Sequence, residues 1–174
     1  MLITETSLDT DLYVFDTKTN GKKLVSDSIH QDLIVIPSLT NNKQLIVSRR
    51  LGKTQIFLKH NEQLSFAYAN EGDAEYISPP IWSPNEENIA FSADEKLVFI
   101  NLKKLERKLS TLDYDITRVL DWHENGNKVL LKGVNQGQDY YIINNGFNHI
   151  MKYNFPKSMF HLTGVSKKLN HLYF

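Results

Sequence analysis

The residues of this chain that could carry chemistry begin with Gly52-Lys53-Thr54, which match the last three residues of a phosphate-binding loop. Such a loop needs another glycine five positions before Gly52 and a helix after it, because backbone N–H groups hold the phosphates. Val47 occupies the earlier position, and a strand pattern follows. We therefore interpret the three residues as a hairpin turn.

No other pattern predicts catalysis or metal binding. The sequence has no cysteine and six histidines, which are His30, His60, His123, His149, His161 and His171. These histidines lack the i, i+2 or i, i+4 spacing of zinc ligands, and the acidic loop residues lack the spacing of a Ca²⁺ site. No Gly-x-Ser-x-Gly elbow occurs, although a spatial Ser-His-Asp array stays open. We expect a non-enzymatic protein with no metal and no cofactor.

A small basic loop is the main candidate for binding. Its side chains could contact an anion or a partner protein, and the simpler alternative is a solvated loop. The repeat described below places this loop on the same side as several others, and loops gathered by a rigid scaffold are common binding sites. The candidate residues for a protein partner or a small ligand on this side are Arg49, Arg50, Lys53, Tyr76, Arg118 and Gln138.

Composition limits the class of partner. The 174 residues include 20 basic and 20 acidic residues without a charge block, which argues against nucleic acid as a partner of this domain. The longest apolar runs have about five residues, against the ~20 that cross a bilayer, so we expect no membrane insertion. The first residues lack the basic and apolar regions of a signal peptide. Any targeting segment would therefore lie outside this chain.

A repeat with a period of about 43 residues positions all these side chains. Its anchors are Ser38, Trp82, Trp122 and Val165, which follow one another at intervals of 44, 40 and 43 residues. Seven residues after each anchor, an apolar residue opens a strand. This period is typical of four-stranded propeller blades, so we expect the two tryptophans to pack between neighbouring blades. A ligand-stacking surface is the alternative.

Short β-branched and aromatic runs between polar turns predict strands in each complete copy. The predicted strands are Leu33–Ile36, Leu45–Ser48, Gln55–Lys59 and Gln63–Tyr68; Ile77–Trp82, Ile89–Ser92, Leu97–Leu102 and Lys108–Leu112; and Arg118–Trp122, Lys128–Lys132, Tyr140–Ile143 and His149–Tyr153. Leucines recur at helical spacing over Leu102–Leu112, but helix caps are missing. The place of this segment in the repeat predicts a loop and an outer strand.

Both ends of the chain match partial copies. Leu2–Thr4, Leu12–Asp16 and Lys22–Ser26 match strands two to four, while Phe160–Val165 and Leu169–Phe174 match strands one and two. The sequence thus predicts an all-β propeller, or a fragment of one, with three complete antiparallel blades and two partial ones. The predicted pieces span 1–28, 29–70, 71–113, 114–155 and 156–174. Because partial blades expose strand edges, the end pieces could complete one blade within a ring or between copies in a homo-oligomer.

The repeat resembles that of TolB-type propellers. The resemblance rests on WSPNE at 82–86, which is similar to a Trp-Ser-Pro-Asp-Gly turn, on IAFS at 89–92 and on LVFIN at 97–101. Segments 12–26, 48–58 and 133–143 match the later parts of the repeat. Departures are the Asn-Glu pair in place of Asp-Gly and the loss of the Trp-Ser-Pro turn at 38–40 and 165–167.

The resemblance implies a propeller that binds without catalysing. Degenerate repeats of this kind are similar to those of CadC-like bacterial transcriptional regulators. We therefore expect a periplasmic sensory domain of a longer membrane-anchored or exported protein, while a cytoplasmic location stays open. One alternative is a TolB-like envelope scaffold that docks a partner protein. The other is the substrate-gating propeller of a prolyl-oligopeptidase-type peptidase.

Overall fold

Strands make up most of the regular structure of this protein. The computed structural model describes residues 11–26, 31–40, 42–49, 52–69, 77–110, 112–145, 149–153, 162 and 164–173. This part of the chain contains sixteen strands and no α-helix, which confirms the predicted all-β class. Among the same residues, no helix is long and apolar enough to cross a membrane.

The chain divides into two compact units, and the first spans residues 1–75. It contains a two-stranded antiparallel sheet of β1 (Leu12–Asp16) and β2 (Gly21–Ser26). A four-stranded sheet follows, with its strands side by side in chain order: β3 (Asp32–Pro37), β4 (Lys43–Ser48), β5 (Gln55–His60) and β6 (Gln63–Ala69). Its neighbouring strands are antiparallel, as expected for short hairpin connections.

The second unit, residues 76–174, holds two more four-stranded antiparallel sheets and one of two strands. The first sheet has β7 (Ile81–Trp82), β8 (Asn88–Ala93), β9 (Lys96–Asn101) and β10 (Glu106–Leu109). The second has β11 (Asp115–Trp122), β12 (Lys128–Asn135), β13 (Gln138–Asn145) and β14 (His149–Tyr153). The last has β15 (Gly164–Val165) and β16 (Leu172–Tyr173).

Most strand ends lie within three residues of their predicted positions. The main difference is β7, which begins at Ile81 instead of Ile77, while Ile77 forms only an isolated bridge with Ala93. Pro79 and Pro80 cannot donate to a strand ladder, which explains the interruption. Segment 102–112 contains a turn and the strand β10, as expected. Predicted strand Leu2–Thr4 and residues 160, 161, 163 and 174 of the predicted tail strands lie outside the described residues.

The spacing of the repeat anchors has a direct counterpart in strand pairing. Trp82, Trp122 and Val165 each pair with the residue seven positions later, across the first hairpin of a sheet. In the first unit, the corresponding pair is formed by Pro37 and Gln44. The predicted anchor Ser38 is therefore one position late. The error arose because neither Pro37 nor Ser38 has a large aromatic side chain like those of Trp82 and Trp122, which mark the register in their copies.

One turn geometry recurs after all four anchor strands. A backbone N–H donates to the carbonyl five residues later at Ser38, Ser83, His123 and Ser166, with N···O distances of 2.9 to 3.0 Å. At Ser83, the hydroxyl also accepts the Asn88 N–H at 3.0 Å. Local side-chain acceptors of this kind favour turns over longer strands. The conformation of the first hairpin is therefore set locally, even where the sequence of the turn differs.

In the first unit, the middle strands carry the core. Leu45, Ile46 and Val47 are consecutive buried residues of β4, and Ile56 of β5 and Tyr68 of β6 are buried with them. Consecutive buried residues mean that both faces of β4 are covered, since side chains alternate between faces. The sequence shows the same feature as an uninterrupted apolar run in this strand.

In the second unit, the sheet β11–β14 is buried on both faces. One face forms an apolar cluster with the sheet β7–β10, made of Ala90, Leu97, Ile116, Val119, Trp122, Val129, Leu131 and Ile142. The other face packs on the sheet β15–β16 through a cluster of Leu130, Ile143 and Leu169, with half-buried Val165 and Leu172 against it. Along β12, alternate residues thus enter the two clusters, as the two-residue period of a strand requires.

Trp122 is the largest side chain of the cluster between the sheets β7–β10 and β11–β14. It is 7% exposed, and its Nε1–H donates to the Ile81 carbonyl at 3.4 Å. Its ring meets that of Phe99 edge to face, with centroids 5.7 Å apart. Trp122 therefore packs between sheets, whereas Trp82 is only half-buried.

We expect the Trp122→Ala variant to lose about 3–5 kcal/mol of unfolding free energy, because a large cavity would open between two sheets. Urea denaturation followed by intrinsic fluorescence and circular dichroism measures the loss. The matched control is Leu39→Ala, whose side chain is 95% exposed and whose loss should stay within about 0.5 kcal/mol. Equal losses for the two variants would contradict the packing role of Trp122.

The turn between β1 and β2 depends on an exposed carboxylate. Asp16 Oδ1 accepts the backbone N–H of Lys18 at 2.8 Å and that of Thr19 at 3.4 Å. These bonds favour the charged form of the carboxyl group and so lower the pKa of Asp16. The hydrogen bond from the Lys18 N–H has the largest effect, and Thr19 has the next largest. The same turn places Asn20 at a φ of 53°.

The stabilisation from Asp16 should be complete above the ordinary aspartate pKa of about 3.9 and should be lost as the pH falls through the lowered folded-state value. Amide hydrogen exchange at Lys18 and Thr19 across the acid range would report the loss. In Asp16→Asn, the side-chain oxygen still accepts both bonds but does not titrate, so the acid-induced increase in exchange should disappear. If the acid-induced increase in exchange is the same in Asp16→Asn, another titrating group causes it.

Candidate functional site

Each four-stranded sheet has a loop end, which we define as the end that carries the connection between its second and third strands. Two of these connections are two-residue hairpin loops with both residues at positive φ. The angles are 48° and 60° at Asp94 and Glu95, and 51° and 72° at Gln136 and Gly137. This geometry matches the right-handed twist of paired strands, so both loops are fixed by their own hairpins. In the first unit, Gly52 has a φ of 77° in the corresponding connection.

Hydrogen bonds hold the loop ends of the two neighbouring sheets of the second unit together. The Ile116 N–H donates to the Glu95 carbonyl at 2.7 Å, and the buried Ser92 hydroxyl donates to the Thr117 carbonyl at 3.0 Å. Both bonds join β11 to the hairpin β8–β9. These bonds therefore join the two loop ends into one continuous surface.

An aromatic pair stands at this surface. Tyr114, on the loop that enters β11, meets Tyr140 of β13 edge to face, with ring centroids 5.6 Å apart and planes at 75°. Both half-buried rings pack on the apolar cluster between the sheets. The Tyr140 hydroxyl donates to Gln138 Oε1 at 3.1 Å, which orients the exposed amide. Tyrosine rings with a wet polar tip are enriched where proteins bind one another.

Charged side chains lie at the same end of the sheet β11–β14, on the face opposite the tyrosine pair. Arg118 is exposed and pairs in register with Lys132, whose Nζ lies 2.9 Å from Asp139 Oδ2. Exposed ion pairs add little to stability, and their main effect in an interface is on specificity and association rate. The described residues contain no group of three His, Asp or Glu side chains that could hold a metal ion.

The structure divides the predicted binding residues between the two units. Arg49 and Lys53 are exposed in the first unit, where the Arg49 N–H donates to the Gln31 carbonyl at 2.8 Å. Arg118 and Gln138 are exposed at the loop end of the second unit. Arg50 and Tyr76 lie outside the described residues.

Sequence reasoning missed Tyr114 and Tyr140. A signal was present, because each aromatic residue adjoins a polar turn at the loop end of its repeat. It was not used, since an aromatic residue beside a strand usually belongs to the core. Their pairing joins β13 to the loop that enters β11. The strands β11 and β13 are not neighbours in the sheet, because β12 lies between them.

One further carboxyl group has a shifted pKa. Lys59 lies 2.9 Å from Glu62 and, by a hydrogen bond and by its charge, lowers the pKa of this exposed glutamate. Glu62 lies in the turn between β5 and β6, at the opposite end of its sheet from the loop end. The ion pair therefore stabilises a turn and takes no part in the loop surface.

Comparison with solved structures shows what fold these sheets build. The chain is similar to the crystal structure of TolB from Acinetobacter baumannii, with a TM-score of 0.65 and 17% sequence identity. The match covers 83% of this chain and 37% of that protein, so this chain spans well under half of its length. No protein-family model matches the sequence, and no curated protein matches it significantly. At this identity the likeness establishes a TolB-like fold and nothing about activity.

The hydrogen bond from Ser92 to Thr117 should be needed for a rigid loop surface. We expect Ser92→Ala to lower the unfolding free energy by about 1 kcal/mol and to speed amide exchange in β11, because a buried donor that joins two sheets is lost. Ser65→Ala is the matched control, since its exposed hydroxyl donates to the Leu58 carbonyl within one sheet. If Ser92→Ala and Ser65→Ala change the unfolding free energy and the amide exchange of β11 equally, the bond from Ser92 does not hold the loop ends together.

Proposed function

We propose that this chain is part of a TolB-type β-propeller. In this proposal the three four-stranded sheets are complete blades, and the sheets β1–β2 and β15–β16 are parts of blades. The strands of each complete sheet lie in chain order, and one turn geometry recurs after each anchor strand. The stacking of three sheets by apolar faces in the second unit and the likeness to TolB support this arrangement.

The proposed role of this propeller is non-enzymatic binding of a protein partner at the loop end of the second unit. The observation that carries the proposal is the Tyr114–Tyr140 pair, which the inter-sheet core holds beside exposed Gln138. Exposed Arg118 lies at the same end of the sheet, on its other face. Tyrosine and arginine dominate the energetic centres of protein interfaces, because they bury much area with few rotatable bonds or with several hydrogen bonds. The packing of the two tyrosine rings against the core reduces the side-chain entropy lost on binding.

Among the contexts expected from the sequence, we favour a TolB-like envelope scaffold that docks a partner protein. The likeness to a solved TolB structure supports this choice over a peptidase gate. A periplasmic sensory domain of a CadC-like regulator is the other proposal, and it rests on the degenerate repeats alone. A periplasmic location belongs to both. The length and domain order of the complete gene product separates the two, since a regulator needs a DNA-binding domain and a membrane anchor.

Charge reversal at the loop end tests the binding role. In the complete protein, within its own cells, we expect Arg118→Glu to weaken retention of the cross-linked partner by about tenfold or more, because an interfacial charge would become repulsive. Quantitative mass spectrometry of the purified complexes measures the retention. Lys104→Glu, which makes the same change in the turn between β9 and β10 at the other end, should leave it unaltered.

The proposal fails if no protein is retained by the unaltered chain above the level of an unrelated β-rich protein. It also fails if Arg118→Glu and Lys104→Glu retain every partner equally. This outcome counts when both variants have the same melting temperature as the unaltered protein. Loss of retention with both variants would place the interface elsewhere on the second unit.

A further inference from the structure

A cavity of about 460 Å³ lies in the second unit, at the opposite end of the strands from the loop end. It opens between the facing sides of the sheets β7–β10 and β11–β14. The turn between β9 and β10 and the turn between β11 and β12 border it, through Lys104, Gly126 and Asn127. Its volume falls within the range of about 300–1,000 Å³ that is usual for small-molecule sites. The proposed protein-binding role does not use it.

The inner wall of this cavity is aromatic and apolar. Phe99 of β9 and Trp122 of β11 form part of it, with Val129 of β12 beside them. The two rings already meet edge to face at 5.7 Å, so their relative positions are fixed before anything binds. A flat apolar ring is the shape that such a wall accepts best.

A buried carboxamide interrupts this apolar wall. Asn144 of β13 pairs in register with Val129, which itself pairs with Trp122, so the three residues form one row across the sheet. The next row pairs Leu131 with Ile142, and both are fully buried. Asn144 is 1% exposed, and neither its Oδ1 nor its Nδ2 has a hydrogen-bond partner. Every neighbour in its row is apolar.

The contacts of two half-buried asparagines that line the cavity show what Asn144 lacks. Asn101 Nδ2 donates to Asn88 Oδ1 at 3.0 Å. Asn101 Oδ1 accepts the backbone N–H of Lys103 at 3.1 Å and that of Lys104 at 2.9 Å. These bonds hold the turn after β9, and they give both the oxygen and the nitrogen of the Asn101 carboxamide a hydrogen-bond partner. Unlike Asn101, Asn144 therefore lines the cavity with a carboxamide that has no partner.

An unpaired buried carboxamide destabilises a fold, and a leucine would suit the same row. Destabilising polar groups of this kind are kept where binding or catalysis needs them. A hydroxyl is the simplest complement to a carboxamide, since each can both donate and accept a hydrogen bond. Asn144 lines the cavity while its amide atoms are covered, so a ligand could reach these atoms only after the side chain turns.

The mouth of the cavity is positively charged. Lys104, Lys108 and Lys128 line it together with a single carboxylate, Glu106. Of these, Lys104, Lys108 and Glu106 are exposed. An excess of ammonium groups around a partly enclosed opening attracts an anion, and salt weakens that attraction.

We propose that this cavity binds a small hydroxylated aromatic carboxylate. The ring lies against Phe99, Trp122 and Val129, and the carboxylate points to the lysines of the mouth. The hydroxyl exchanges hydrogen bonds with Asn144. A ligand of this class satisfies the apolar wall, the unpaired carboxamide and the charge of the mouth at once.

Calorimetric and NMR titration with 4-hydroxybenzoate at low salt tests the proposal. We expect saturable binding at one site, with shifts of the Asn144 side-chain amide signals and of the Val129 backbone signal. Benzoate lacks the hydroxyl, and 4-hydroxybenzamide lacks the charge, so each should bind about tenfold more weakly. Absence of saturable binding of 4-hydroxybenzoate to the folded chain would overturn the proposal.

Two variants with matched controls locate the site. Lys108→Glu should weaken binding of 4-hydroxybenzoate by about tenfold, because an attractive charge at the mouth becomes repulsive. Lys96→Glu makes the same change on the neighbouring strand at the loop end and should leave the affinity within about twofold. If both variants bind with native affinity, the ligand sits elsewhere, and the proposed site is wrong.

Asn144→Leu separates the role of the carboxamide from that of the mouth. We expect its melting temperature to rise by about 2–4 °C, since an unpaired buried polar group is removed. Its affinity for 4-hydroxybenzoate should fall to that for benzoate. A lowered melting temperature would mean that trapped water already pairs the carboxamide, and it would overturn the assignment of Asn144. An unchanged preference for 4-hydroxybenzoate over benzoate would overturn it as well.

Discussion

Burial of apolar side chains between facing sheets is the constraint on which the second unit depends. Trp122 is the largest side chain of that contact, where it touches Phe99 of the neighbouring sheet and donates to the Ile81 carbonyl. A four-stranded antiparallel sheet of this size cannot bury both of its faces alone. Because each sheet must pack on another, the sequence repeats the same apolar positions in every copy.

The same contact produces two ends with different properties. At the loop end, hydrogen bonds from β11 to the hairpin β8–β9 close the contact, and Tyr114 and Tyr140 cover it. At the other end, the row that contains Asn144 does not fill the space between the sheets, and a cavity remains. A rigid covered end suits a protein partner, whereas a gap with polar groups suits a small ligand.

Local turn chemistry explains why the copies keep one geometry while their sequences diverge. The turns after β7 and β15 use a serine hydroxyl as acceptor, and the turn after β11 uses His123 Nδ1. All of them close with a backbone bond between residues five apart. A histidine can therefore replace a serine without altering the hairpin, because both place an acceptor near the following N–H groups.

The sequence by itself determined the all-β class, the strand positions and the repeat, because alternation of side chains and turn residues are local properties. It also placed Trp122 between sheets, since a large apolar residue at a repeat position has few other places to go. It misplaced the anchor Pro37 by one residue, where no large side chain marks the register. Only the tertiary structure decided that Tyr114 meets Tyr140 and that Asn144 stands unpaired beside a cavity. Those relations depend on which strands become neighbours, and distances across sheets are not encoded in any short stretch of chain.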